Sequence, residues 1–272
     1  MPHPCRRATL TIALILSAAF AAAHDFWLVP DAFRVAAAGE VVVRGQTSSA
    51  FPTTLSAVTP DRVTEARIVG ASDEERITAL STHDNSLVLR HRPRTPGQKI
   101  VAVAVGWRLV NETAASFRKY LVAEGAEDAL KHYDRTGQLP TRDIVRRYAK
   151  YGKTALEVGD GPRAFDRVIG HPLEFMPLAD PSAARVSSEL RMRLVFQDKP
   201  LARARVHAGV ARAAGKATPP ERLLFTSDDG VVTVPVDVAG LWNIRTIHVV
   251  PTPPGADANW DVHWATFVYA VR

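Results

Sequence analysis

Cysteine is all but missing from this 272-residue chain, which has a single one, Cys5. Cys5 lies in a stretch that reads as a leader. The processed chain is therefore expected to hold no disulfide and no thiolate ligand. Long apolar runs are scarce as well. Past residue 23 nothing approaches the roughly 20 apolar residues that a membrane helix needs. Familiar catalytic patterns are absent: there is no G-x-S-x-G turn for an acyl-transfer nucleophile and no H-E-x-x-H for zinc hydrolysis. The glycines from Gly209 to Lys216 lack the spacing and the following Ser or Thr of a phosphate loop. The basic excess, formal net charge +6, is spread along the chain and leaves no nucleic-acid footprint.

Residues 1–23 do have a pattern. Arg6 and Arg7 form a positive start, Ala8 to Phe20 an apolar stretch, and Ala21-Ala22-Ala23 a small-residue cleavage site. That is the composition of a secretory signal, so the working protein is expected to begin at His24 in the periplasm or outside the cell. Losing Arg6 and Arg7 takes the formal charge from +6 to +4.

From Val41 onward the chain runs in short β-rich pieces punctuated by Pro, Gly, Asp and Asn. The clearest are 41–44, 65–69, 86–89 and 99–105. The middle changes period. Phe117, Tyr120 and Leu121 stand at i, i+3, i+4, and Ile144, Val145 and Tyr148 form a second such stripe. Glu127 with Lys131, and Asp143 with Arg147, make i,i+4 pairs. These signs predict a helical insertion over 112–151, broken near Gly137 and Pro140. Arg142, Arg146, Arg147, Lys150 and Lys153 are read as its solvated basic face. Pro172, Pro177 and Pro181 mark a connector. After it the strand pattern returns at 189–196, 204–208, 231–236, 240–250 and 262–271, with a hairpin turn at Ser227-Asp228-Asp229-Gly230. The expected architecture is mainly β: an N-terminal β-rich domain, 24–178, carrying the insertion, and a C-terminal β-sandwich domain, 179–272.

Histidine is the residue with chemical promise. A chain beginning at His24 offers an α-amine, with a pKa near 8, and an imidazole on one residue. Together these can chelate a divalent transition metal, nickel, cobalt or copper, and one further histidine would complete a three-nitrogen site. His83 and His91 stand about 26 Å apart if extended, too far to share an ion. His132 and His171 read as solvated. His248, on the face of its strand shared with Trp242, Ile244 and Thr246, is the favoured partner, with His207 and His263 in reserve.

Several motifs together resemble a known family. They are Ala23-His24-Asp25-Phe26-Trp27-Leu28-Val29-Pro30, Arg147-Tyr148-Ala149-Lys150-Tyr151-Gly152, Pro172-Leu173-Glu174-Phe175-Met176-Pro177, Gly240-Leu241-Trp242 leading to His248, and Trp264-Ala265-Thr266-Phe267. The sequence resembles the NikM-like family of exported bacterial proteins, described as periplasmic components of nickel or cobalt uptake and otherwise of unknown function. The resemblance implies an all-β protein with a helical insertion and an immunoglobulin-like or transthyretin-like C-terminal sandwich. It also implies a link to divalent metals and places histidine at positions 24 and 248. The leading expectation is a metal-binding accessory to a membrane transporter, with His24, His248 and His207 as candidate ligands. A copper-dependent oxidative enzyme and a metal-free structural sandwich are the alternatives.

Overall fold

The structure is a computed structural model that describes residues 24–136 and 142–272. The expected leader and the expected break at Gly137 and Pro140 lie outside the described residues. Strands β1 (Asp25–Pro30), β2 (Arg34–Val35), β3 (Val41–Ser48), β4 (Val63–Val69), β5 (Glu74–Arg76), β6 (Ala79–His83) and β7 (Ser86–His91) lead into the long β8 (Gly97–Thr113). Two helices follow, α1 (Ala114–Glu124) and α2 (Glu127–Arg135), and then the long β9 (Asp143–Val158). The remainder is β10 (Leu173–Pro177), β11 (Ser188–Phe196), β12 (Lys199–Pro200), β13 (Arg205–Ala211), β14 (Arg222–Phe225), β15 (Val231–Val236), β16 (Gly240–Pro251) and β17 (Trp260–Val271).

A nine-stranded sheet in the order β14-β13-β16-β17-β9-β8-β4-β5, with β2 added on β9, forms the middle layer. Alternation along β8 shows how its two faces are used. Val101, Val103 and Val105 pack with Phe26, Leu28, Val43 and Leu89 of the four-stranded sheet β1-β3-β7-β6. Ile100, Ala102 and Ala104 face the other way, into a core with Phe175, Leu190, Met192 and Val234 of the β10-β11-β12-β15 sheet. A strand covered on both sides reads as an unbroken apolar run, as Ile100–Val105 does. The helices lie on the β1 side, where Phe117, Leu121 and Tyr133 pack on Ile144, Trp260, Val262 and Trp264.

The chain is mainly β, as expected, and strands form at the expected places. The segments 24–178 and 179–272 share their sheets. β9 pairs parallel with β17, from Trp260 opposite Arg146 to Val268 opposite Thr154, and β10 pairs with β11.

The helical insertion is half the expected length. Helix α1 begins at Thr113, whose side chain accepts from the Ser116 amide, and ends at Gly125 in the left-handed region, φ 64°. Phe117 and Leu121 are buried as their spacing predicts. Ile144, Val145 and Tyr148, expected on a helix, lie instead on strand β9. Long-range pairing with β8 and β17 outweighs local periodicity there. Asp143 is not the partner of Arg147, which reaches Asp261 at 2.6 Å and Asp257 at 3.0 Å.

That change of element redistributes the basic residues. On a helix they were expected to share a wet face; on a strand they alternate. Arg146 and Lys150 point to the β1 side of the sheet, and Lys153 points into the opposite core. Lys153 is 2 % exposed and donates to Glu174 at 2.6 Å.

Candidate functional site

Where β1 and β3 cover only part of the middle sheet, a cavity of about 450 Å³ opens beside His24. Its wall carries Lys150, Arg62, Arg108 and Arg146, with Tyr148, Trp264, Val58, Val105 and Leu109 between them. Among the described residues the lining includes no carboxylate. Arg146 is already occupied: it pairs with Glu112 and lies 4.3 Å over the Tyr120 ring. Arg62 donates to the Gly106 carbonyl at 3.2 Å and sits 6.0 Å from the centre of the Tyr148 ring.

Lys150 is the central group. It is 7 % exposed, donates to the His24 carbonyl at 2.5 Å, and stands 5.3 Å over Tyr148. Burial pushes its ammonium down to about 8; Asp25 opposes this, and Arg62 and Arg108 add to it. Lys150 is therefore mostly charged at pH 7, in a place that disfavours the charge. A buried cation beside other cations is stabilised by an incoming anion.

Asp25, the residue after His24, does not line the cavity but acts on Lys150 through its charge. Burial raises its carboxyl to about 6, against the pull of Arg245, whose Nε lies 3.4 Å away. Its buried Oδ1 has no hydrogen-bond partner among the described residues. Arg245 continues to Glu221 at 2.8 Å, and Glu221 to His207 Nδ1 at 2.9 Å.

The structure does not bring the candidate ligands His24, His248 and His207 together. His24 lies on the side of the middle sheet that Trp264 faces. His248 pairs across the strands with His263, one residue out of phase with the Ile247–Trp264 pair. It therefore faces the opposite side, where it stacks edge-on against Phe196 at 4.4 Å. A one-residue step along a strand reverses the face, and the sequence pattern did not reveal which strand β1 would cover. His207 is on His24's side, but Glu221 and Arg245 stand between it and Asp25. Among the described residues no group of three or more His, Cys, Asp or Glu side chains could hold a metal. His171, expected in solvent, is buried and bonded to Glu65 at 3.2 Å. His83 and His91 sit at opposite ends of the β6–β7 hairpin.

The face carrying His248 and His263 has a different property. His263 is packed by Trp107 at 5.1 Å and Phe196 at 5.0 Å, with the Tyr151 hydroxyl 3.3 Å from its Nδ1. Burial lowers both imidazoles to about 4. A lowered histidine pKa makes the folded state bind fewer protons than the unfolded chain between pH 4 and 6.5, so stability falls as pH drops through that window. The fall for His263, from 6.5 to about 4, corresponds to about 3 kcal/mol. His263→Phe is expected to flatten the decline. Urea midpoints at pH 7, 5.5 and 4.5 that fall as steeply as the parent's would refute this.

A family model described as a domain of unknown function, DUF4198, matches residues 21–250. The chain belongs to the DUF4198 family. The match takes in His24 and every cation lining the cavity; Trp264 of the lining lies beyond it. No curated protein matches this DUF4198 chain. Among solved structures it is similar to the D0-D1 domain of intimin, at 10 % identity over 89 % of this chain and 97 % of that one, with a TM-score of 0.21. It is also similar to alpha-2-macroglobulin from Escherichia coli, at 10 % identity over 90 % and 69 %, TM-score 0.21. Murine CEACAM1b gives 8 % identity over 91 % and 100 %, TM-score 0.21.

Cavity-lining cations were the residues that sequence reasoning missed. Arg146 and Lys150 were in view as a basic cluster, but on the wrong element. Their four-residue spacing places them on one face of a strand as readily as on one face of a helix.

Proposed function

We propose that this DUF4198 protein is an exported binding protein that holds a small anion in the cavity beside His24. One observation carries the reading: a buried lysine and two arginines, Lys150, Arg62 and Arg108, line a cavity with no carboxylate among its described lining residues. Guanidinium and ammonium groups in a partly dry site are strong, directional donors to carboxylate or phosphate oxygens. The apolar share of the wall suits a ligand with a carbon body. Export rests on the composition of residues 1–23. The test is calorimetric titration of exported, untagged protein with citrate, phosphate and benzoate. At least one is expected to bind saturably, and more weakly as NaCl is raised. Absence of saturable heat from all three at millimolar concentration, with no rise in Tm, would overturn the reading.

A second reading keeps the divalent metal. It is favoured by the position of His24, which lines the same cavity, and by the resemblance to NikM-like uptake components. Cleavage before His24 would place an α-amine and an imidazole there. The remaining residues do not fit a three-nitrogen site for a free dication. The Lys150 ammonium donates to the His24 carbonyl and places a positive charge beside it. Two unit like charges about 4 Å apart near a protein surface repel by about 4 kcal/mol.

A further inference from the structure

Strand β8 changes phase beside the cavity. Val105 stands opposite Lys150 of β9, Arg108 opposite Tyr148 and Val110 opposite Arg146. Directly opposed residues share a face of the sheet. From Val105 to Arg108, β8 advances three positions while β9 goes back two, so Gly106 and Trp107 share the place opposite Ala149. That is a β-bulge, which re-aims the side chains after it. Regular alternation would turn Trp107 to the cavity and Arg108 away from it. With the bulge, Arg108 lines the cavity. Trp107 packs on the opposite face, 5.1 Å from the His263 ring and 4.8 Å from the Arg147 guanidinium. Gly106 supplies the carbonyl that accepts from Arg62 at 3.2 Å. A Cβ there would lie 2.9 Å from the Thr64 methyl, so glycine suits this close approach.

The cations therefore stand at two stations. Lys150 is buried and fixed on the His24 carbonyl. Arg62, half-buried, and Arg108, exposed, stand at the bulge. Same-face neighbours on a strand, such as Lys150 and the Tyr148 that opposes Arg108, are about 6.6 Å apart. The Tyr148 ring is common to both stations, with its centre 5.3 Å from the Lys150 Nζ and 6.0 Å from the Arg62 Cζ. Glu112 neutralises Arg146, and Asp25 offsets part of the Lys150 charge. Among the described lining residues no carboxylate answers Arg62 or Arg108. We infer that the occupant is an organic dianion, a dicarboxylate whose two acid groups are separated by an apolar spacer. One carboxylate takes the Lys150 ammonium, and the other takes the Arg108 guanidinium with Arg62 beside it. The spacer lies against Tyr148 and Leu109, which line the cavity between them. The inference rests on the anion-binding reading and names the class of anion. A monocarboxylate leaves one station unanswered, and phosphate has no carbon body for the apolar wall, so the site discriminates against both.

Isophthalate and benzoate share one ring and differ by a second carboxylate. Exported, untagged protein is titrated with each by calorimetry at pH 7, beside citrate and phosphate. Isophthalate is expected to bind about tenfold or more tighter than benzoate, the effect of one added charged hydrogen bond. Arg108→Gln is expected to bring isophthalate down to the affinity of benzoate and to leave benzoate itself unchanged. Arg108 is exposed, so Tm should hold in this variant. Lys150→Met should weaken both acids. Equal affinity for the two ring acids overturns the inference while the anion reading stands. So does a preference for isophthalate that Arg108→Gln leaves intact, and so does saturable binding of citrate or phosphate by protein that binds neither ring acid. Failure of all four anions to bind overturns both.

Discussion

Glu174→Ala is expected to destabilise the protein by about 3–5 kcal/mol, the usual cost of leaving one partner of a buried ion pair alone. Glu174 is 1 % exposed and Lys153 2 %. One carboxylate oxygen accepts from the Lys153 ammonium at 2.6 Å and from the Ile169 amide at 2.9 Å. The other accepts from the Gly170 amide at 2.8 Å. Lys153 also donates to the Phe175 carbonyl at 2.9 Å. The pair thus fastens β9 of the middle sheet to β10 of the outer one. Truncating the acid strands one cation and two amides in an apolar core. Urea unfolding is the measurement, and a loss below about 1 kcal/mol would show that water reaches the lysine. A control separates the pair's net worth from the cost of breaking it. Lys153→Met with Glu174→Leu replaces both charges by apolar groups of similar length and should recover much of the loss. If the double variant is as unstable as the single, the pair is itself a net stabiliser.

Lys150→Met carries the second large effect, and it falls on binding. Hydrogen bonds from charged donors contribute about 1.5–3 kcal/mol, so any anion seated in the cavity should bind roughly 10- to 150-fold more weakly. Stability is expected to move the other way or not at all. Burial is the largest force against the Lys150 charge, with Asp25 opposing it and Arg62 and Arg108 adding to it, and an unbranched apolar side chain removes the cost of burying that charge while filling similar space. Reduced anion affinity with an unchanged or higher Tm is the signature of a residue kept for its ligand. Unchanged affinity would remove Lys150 from the site, and a Tm loss of many degrees would mark it as structural.

Much of the architecture can be read in the residues. Ile100–Val105 announces a strand buried on both faces. Alternation in Glu189–Phe196 places Leu190, Met192 and Leu194 in one core, where they are found. The turn at Asp228-Asp229-Gly230 depends on Gly230 at φ 75°. What was not legible is the part decided by distant contacts. Ile144, Val145 and Tyr148 satisfy a helical spacing, and the long-range pairing with β8, joined from Arg146 on by β17, makes their segment a strand. The site suffered from the same limit. His24 and His248 each lie at a position that chemistry would choose, but β1 crosses one face of the sheet and His248 points from the other. The basic cluster was visible; that Lys150 would turn inward beside His24 while Lys153 turned toward Glu174 follows from strand alternation, not from composition.

The placement of β17 has a kinetic consequence. This strand, 260–271, lies between β16 and β9 in the interior of the nine-stranded sheet, and Thr266 donates to the Phe26 carbonyl, 240 positions away in sequence. Contacts of such separation make folding slow, because the loop between the partners must close before they contribute. Synthesis from the amino end delivers β9 and β16 before β17, so each keeps one edge open until residues 260–271 emerge. Truncation there would remove the sheet's middle and not its margin. Until then β9, paired on β8, and β16, paired on β13, each present an open edge, and open strand edges are a template for aggregation.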